Sequence, residues 1–376
     1  MIEEHIAILD KGENDDKILY ANYDESGRVV VIDAFRQKRA DVIKEGGVLE
    51  KETPLIHLLK RVEEKYQIKL QTVFCVARGD GRHSYMIDDI SPYAKFVEES
   101  SLDSGKFSSL SPGKIPLHSE VFDAYKSSQS KLNRVFAVPS NIREDLQNQL
   151  IQHECFVESF VALPRMRVAG TNLGGAALIL GIEDESCYAL VMDDQDLYFY
   201  RKLPFSISMM VRQLCDKHGL LAHQVRRMLY WILNPTELGL FQKGDDDQEI
   251  KKLHKLFPKI RDEVADELER MTIGLKQHLV ECGLWEVGMK KFYLYGEYQQ
   301  IFKKFTFLRD LIPLDVEALQ CVKEWPAAKG VDCMIFGHLL ALLDHCYERR
   351  LMMRKDLANK TAPHYLREWC RRFLGI

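Results

Sequence analysis

Residues 174–202, GGAALILGIEDESCYALVMDDQDLYFYRK, constrain the fold more than any other stretch of the chain. Three short apolar runs, Ala176 to Gly181, Tyr188 to Met192 and Leu197 to Arg201, are separated by two acidic turns, Glu183-Asp184-Glu185 and Asp193-Asp194. Runs of this length, rich in Tyr, Leu and Ile and bounded by turn residues, predict the buried strands of a meander. Pro204 closes the sheet. Ser206 or Ser208 can cap the helix that follows, which carries Met210 and Leu214, breaks at Gly219 and resumes with Leu220 and Val225.

The same alternation of strand groups and helices runs through the rest. His5 to Leu9, Lys17 to Tyr23 and Arg28 to Phe35 read as strands, with turns at Asp10-Lys11-Gly12-Glu13-Asn14 and Asp24-Glu25-Ser26-Gly27. Thr53 and Pro54 open a helix whose stripe is Leu55, Leu59, Val62 and Tyr66. Thr72 to Ala77 is a strand ending in the turn Arg78-Gly79-Asp80-Gly81, and the Ser-rich segment 100–111 is a surface loop. Arg134 to Val138 is a strand, and Pro139-Ser140 opens a helix with Ile142, Leu146 and Leu150 on one face. Leu253 to Leu279 repeats apolar residues every three or four positions, giving one amphipathic helix or two stacked pieces, stopped by Gly283. Lys291 to Gly296 is a strand and turn, and Val331 to Arg354 is the closing helix. Strands in twos and threes alternating with amphipathic helices predict an α/β class.

Composition narrows the function. The 376 residues allow two or more domains, and a net charge of −4 gives no general reason to expect nucleic acid. No apolar run approaches the length of a membrane-spanning helix, and the acidic start MIEEHIAILDKG does not read as a signal peptide. Nine scattered cysteines, an odd number with no C-x-x-C spacing, fit a reducing cytoplasm and offer no metal site. GDDDQE at 244–249 reads as a solvated acidic turn rather than a cation site.

The order strand, turn, strand, turn, strand, helix at 174–225 resembles the start of the second half of an actin-like ATPase, in particular the FtsA, PilM and GspL branch. The resemblance covers most of residues 5–355. It implies an α/β, actin-like two-lobe fold with a small inserted subdomain in the first lobe. On that reading residues 1–71 and 133–173 form the first lobe and 72–132 the insert. Residues 174–345 form the second lobe, with 216–282 its smaller subdomain, and 346–360 the end of the closing helix and a linker. The nucleotide motifs are eroded. Where the branch reads D-I-G-G-G-T-T-D, this chain has Leu180-Gly181-Ile182-Glu183-Asp184-Glu185-Ser186-Cys187. Asp10 and Gly12 match the first phosphate turn but are followed by Glu13, and an ordinary hairpin turn is the better account of them. Arg226 and Leu229 stand where the family has an acid and an amine for the sugar and base, and Leu294-Tyr295-Gly296-Glu297-Tyr298 replaces L-T-G-G-G. Carboxylates in both turns would repel phosphate. Asp10, Gly12, Gly181 and Gly296 are then remnants, no cofactor is expected, and ATP with magnesium would bind only if the eroded cleft still allowed it.

Three functions follow from the resemblance. The first is a non-catalytic, membrane-associated scaffold of bacterial cell division, an FtsA-like role with an FtsZ-like tail as partner. The alternative is a PilM- or GspL-like cytoplasmic platform of a type IV pilus or type II secretion system, and the third is an active ATPase. Self-association is a further expectation, and the expected location is the inner face of the cytoplasmic membrane. Met228 to Ile232, flanked by Arg226 and Arg227, is either a partner groove or a core helix. The last stretch, 361–376, places Tyr365, Leu366, Trp369, Phe373 and Leu374 at three- and four-residue spacing, with Arg367, Arg371 and Arg372 behind. From Glu348 onward eight Lys or Arg face three Asp or Glu, a net of +5 that leaves −9 for the rest. Such a helix either lies in an anionic membrane interface or docks on its own last lobe.

Overall fold

The computed structural model describes residues 5–12, 15–23, 29–38, 53–78, 85–87, 119–126, 133–163, 176–193, 196–235, 248–285, 289–305, 307–314, 316–318 and 331–359. Glu13, the loop expected at 100–111, most of the acidic turn 244–249 and the whole tail 361–376 lie outside the described residues.

The first strands are β1 (His5–Lys11), β2 (Asp15–Tyr23) and β3 (Val29–Lys38), followed by helix α1 (Pro54–Tyr66), β4 (Thr72–Ala77), β5 (Tyr85–Ile87), β6 (Ser119–Lys126) and β7 (Asn133–Pro139). Helix α2 (Ser140–Ile151) and β8 (Phe156–Ala162) complete the first half. The second half runs β9 (Ala177–Ile182), β10 (Cys187–Asp193), β11 (Asp196–Leu203), α3 (Ile207–His218), α4 (Ala222–Leu233), α5 (Gln248–Glu281), β12 (Lys291–Tyr295), α6 (Gln299–Lys304), α7 (Phe307–Leu311), β13 (Val316–Ala318) and α8 (Cys333–Asn359). Two five-stranded sheets form, ordered β3-β2-β1-β4-β8 and β11-β10-β9-β12-β13, with a third sheet ordered β5-β7-β6. In each large sheet an antiparallel meander supplies three strands and parallel crossovers add two more.

Burial on both faces explains why these strands read as unbroken apolar runs. Ile6 and Ile8 face one side of the first sheet and Ala7 and Leu9 the other, because side chains alternate along a strand. The outer side packs on α1 through Leu55, Leu58, Leu59 and Val62, and on α2 through Leu146 and Leu150. The inner sides of both large sheets, with Ile6 and Ile8 from one and Ala177 and Ile179 from the other, share a core with Leu339 to Leu343 and Cys346 of α8. Leu178, Leu180 and Ile182 face outward onto α3, α4 and α5. The layers are therefore helices, sheet, α8, sheet, helices, and α8 is enveloped by both sheets.

Local signals land where expected at several ends. Ser206 is the cap of α3, its hydroxyl accepting from the Met209 N–H at 3.1 Å, and Gly219 ends that helix at φ +60°. Thr53 holds the cap position of α1 in an extended backbone, though its hydroxyl makes no capping bond. The 253–279 periodicity is a single helix, with Gly283 beyond it at φ +66°.

Three expected boundaries need correction. Thr72–Ala77 was expected in the insert, but Phe74 and Cys75 pair in parallel with Ile8 and Leu9, so it belongs to the first large sheet. Asn133–Pro139 was expected in the first lobe, but it pairs antiparallel with both β5 and β6 in the small sheet. In both cases the strand is legible locally while its partner is a long-range matter. The closing helix, expected to end at Arg354 before a linker, runs on to Asn359, with Cys346 and Arg350 still buried. In addition, residues of 216–282 such as Val225, Leu253 and Val264 share one apolar core with the second sheet.

Candidate functional site

The parallel pairs β1–β4 and β9–β12 bring four strand carboxyl ends to one cleft between the sheets, the usual place for ligands in open α/β sheets. The pairing of Leu9 with Cys75 sets Arg78, just past β4, beside Asp10 at the end of β1. Across the cleft the tight turn from Ile182 to Cys187, closed by the Glu183 N–H donating to Ser186 O at 3.1 Å, presents Glu183. His338 of α8 reaches the same point from the layer between the sheets.

These four side chains form one buried cluster. The Arg78 guanidinium donates through Nε to Asp10 Oδ1 at 2.9 Å, through Nη2 to Asp10 Oδ2, and through Nη1 to Glu183 Oε2. His338 Nε2 lies 2.8 Å from Asp10 Oδ2. Its Nδ1 is 3.6 Å from Glu183 Oε1, an ion-pair distance too long for a hydrogen bond, and both atoms lack a hydrogen-bond partner. Burial alone would raise both acids. For Asp10, Arg78 and His338 outweigh it and hold the carboxyl well below the usual range. For Glu183, Arg78 and then Lys17 and His338 do the same, bringing it to about 2. Both acids are therefore ionised, and Arg78 is correspondingly held well above its ordinary value despite its own burial.

A second layer surrounds this cluster. Arg36 of β3 bonds Asp15 of its own sheet and donates to Glu297 Oε2, just past β12, at 2.8 Å. Arg226 of α4 donates to Asp184 Oδ1 at 2.5 Å and Oδ2 at 2.9 Å, and to the Tyr298 hydroxyl at 3.0 Å. The pocket left at the mouth, lined among others by Lys11, Lys17, Arg36 and Lys202, measures about 40 Å³. That is room for a few waters and far short of the roughly 300 Å³ of a small-molecule site.

The four remnant positions do converge here, each with a local reason for its identity. A Cβ on Gly12 would lie 2.4 Å from the Asp15 carbonyl, and the Gly12 N–H donates to that same oxygen at 2.9 Å. A Cβ on Gly181 would lie 2.2 Å from Cζ of Tyr295, whose buried ring covers the glycine. Gly296 holds φ +96° with the Ile182 carbonyl 2.4 Å from where a Cβ would stand. Asp10 serves Arg78 and His338.

Arg226 and Arg227, the candidate partner-binding residues, stand in different surroundings. Arg226 is committed to Asp184 and Tyr298, whereas Arg227 is exposed on a different face of α4. Met228, Leu229, Trp231 and Ile232 are buried and Tyr230 is exposed, so the apolar stretch 228–232 packs largely into the core. The expected membrane residues of the tail are beyond the described residues. Arg78 and His338 escaped sequence reading. Their available signals were a lone Arg at the end of a buried strand and a lone His in the apolar run Phe336 to Leu343.

No family model and no curated protein matches the sequence. Solved structures do. The PilM–PilN type IV pilus biogenesis complex is similar at TM-score 0.60 and 13% identity, over 92% of this chain and 99% of that one. The ethanolamine utilization protein EutJ from Carboxydothermus hydrogenoformans follows at TM-score 0.45 and 10% identity, over 85% of each chain. A Bacteroides thetaiotaomicron protein with an actin-like ATPase fold and unknown function gives TM-score 0.38 and 10% identity, over 90% of this chain and 98% of that one. Identity this low carries architecture and no chemistry. With the sheet topology and the cleft described above, it establishes that the chain has the actin-like ATPase fold.

Proposed function

We propose that this chain is a non-catalytic actin-like scaffold, a PilM-like cytoplasmic platform of a type IV pilus or type II secretion machine. The observation that carries the non-catalytic part is the buried Arg78–Asp10–Glu183–His338 cluster in the cleft between the sheets. Binding of a magnesium nucleotide there requires converging backbone N–H groups and carboxylates free to hold the metal. This cleft instead holds two ionised carboxylates already matched to an arginine. The likeness to the PilM–PilN complex, spanning nearly all of both chains, supports the pilus or secretion platform ahead of the division role that FtsA resemblance implies. A PilN-type assembly component is the partner class this reading names.

Calorimetric titration of the full chain with Mg-ATP tests it. No heat of binding and no phosphate release are expected, and micromolar affinity would overturn the reading.

A further inference from the structure

Asp10 lies in β1 of the first large sheet and Glu183 in the turn that joins β9 to β10 of the second, yet both side chains are buried and meet the same arginine. Two buried anions so close are unstable unless a cation lies between them. Arg78 is that cation, and it divides its fork between them: Nε and Nη2 go to Asp10, Nη1 to Glu183. A planar guanidinium with five fixed donors can serve two carboxylates at once in this way, whereas an ammonium is a point charge. The arrangement recurs at the mouth. Arg36 also comes from the first sheet, and it too divides its donors between an acid of its own lobe, Asp15, and one of the other, Glu297.

We infer that the floor of the cleft is a guanidinium-binding site built jointly by the two lobes and filled in cis by Arg78, so that an internal side chain holds the lobes closed as a bound ligand otherwise would. The closed state is then a property of the chain itself. This rests on the ion-pair geometry and not on the assignment to a pilus or secretion machine. A positive Mg-ATP titration would overturn the non-catalytic reading and leave the following experiment unaffected.

Hydrogen exchange of the full chain, followed by mass spectrometry, reads opening on each side of the cleft separately. Arg78→Ala is expected to accelerate exchange in both the β1–β2 and the β9–β10 peptides, on the order of tenfold relative to the parent. Low-millimolar guanidinium chloride, far below its denaturing range, refills the vacated site and slows exchange again in both. The same concentration of potassium chloride does not, and the parent responds to neither salt. Arg78→Lys stays fast, because it lacks the fork. Acceleration confined to first-sheet peptides would make Arg78 a local strut and overturn the inference, as would rescue by potassium chloride equal to that by guanidinium. If Arg78→Ala does not fold, Glu183→Gln opens the bridge from the other side. It should accelerate both sets of peptides with no response to guanidinium, and an unchanged β1–β2 set would likewise overturn the inference.

Discussion

Arg78 has three of its N–H groups committed to two acids, one in β1 and one in the turn after β9. Removing one member of such a cluster leaves buried, unmatched charge, which costs about 3–5 kcal/mol. The pH dependence has a definite sign. Asp10 and Glu183 have folded values below their unfolded ones, so their stabilisation is complete above about pH 4–5. It is lost as pH falls toward the folded values, about 2 for Glu183. The groups that lower these acids are Arg78 after β4, His338 of α8 and, for Glu183, Lys17 of β2, while Asp10 acts on Glu183 in the opposite sense. In Arg78→Met both acids lose their guanidinium and gain from taking up a proton. Its stability, measured by urea unfolding, should therefore rise as pH is lowered from 7 to about 5, while the parent stays flat over that range. Parallel pH profiles for the two proteins would show that the cluster does not carry this stabilisation.

Among the elements, β9 and β12 show how one small residue sets a contact between strands. They pair in parallel with Gly181 opposite Tyr295, and the tyrosine ring lies against the glycine where any side chain would intrude. Burial, and next the Glu183 carboxylate, raise the Tyr295 hydroxyl well above its ordinary range, so the ring stays neutral. Gly181→Ala should destabilise by about 1–3 kcal/mol through overpacking. The double variant Gly181→Ala with Tyr295→Leu should lose less than the sum of the two singles, because the smaller side chain gives way. Additive losses in urea unfolding would remove Tyr295 from the explanation. Read from the sequence, this glycine is a remnant of the phosphate turn, while the structure gives it a packing role against Tyr295. The same holds for Gly296, whose φ of +96° lets the turn after β12 lie against the Ile182 carbonyl.

At the scale of the whole molecule the charge is uneven, −9 before Glu348 and +5 from there on. None of the described helices is long and apolar enough to cross a membrane. We assign any membrane contact to the tail 361–376, whose three arginines are each worth about 1 kcal/mol near an anionic surface. Ordering of the tail on the surface offsets much of that gain, so attachment by a single tail should be weak and reversible. In flotation with vesicles containing anionic lipid, the intact chain should rise while a chain truncated after Asn359 and the Trp369→Glu variant stay behind. Equal flotation of the truncated chain would place the membrane contact elsewhere.

Element types followed from the sequence because they depend on local periodicity. Doubly buried strands such as Ala177–Ile182 read as continuous apolar runs, and α5 repeats its apolar stripe through to Leu279. Those patterns, with the order of strand groups and helices, indicated the α/β class, and the resemblance to actin-like ATPases implied the two lobes and the cleft between them. What they left open was decided by pairing between distant segments. Thr72–Ala77 and Asn133–Pro139 are equally good strands in isolation, and only their long-range partners assign one to the first large sheet and the other to the small one. The acidic turn at Glu183 looked like a simple obstacle to phosphate. The tertiary structure decided that it is half of an arginine site, because a charge distant in sequence is invisible to any local pattern until β4 delivers Arg78 to it.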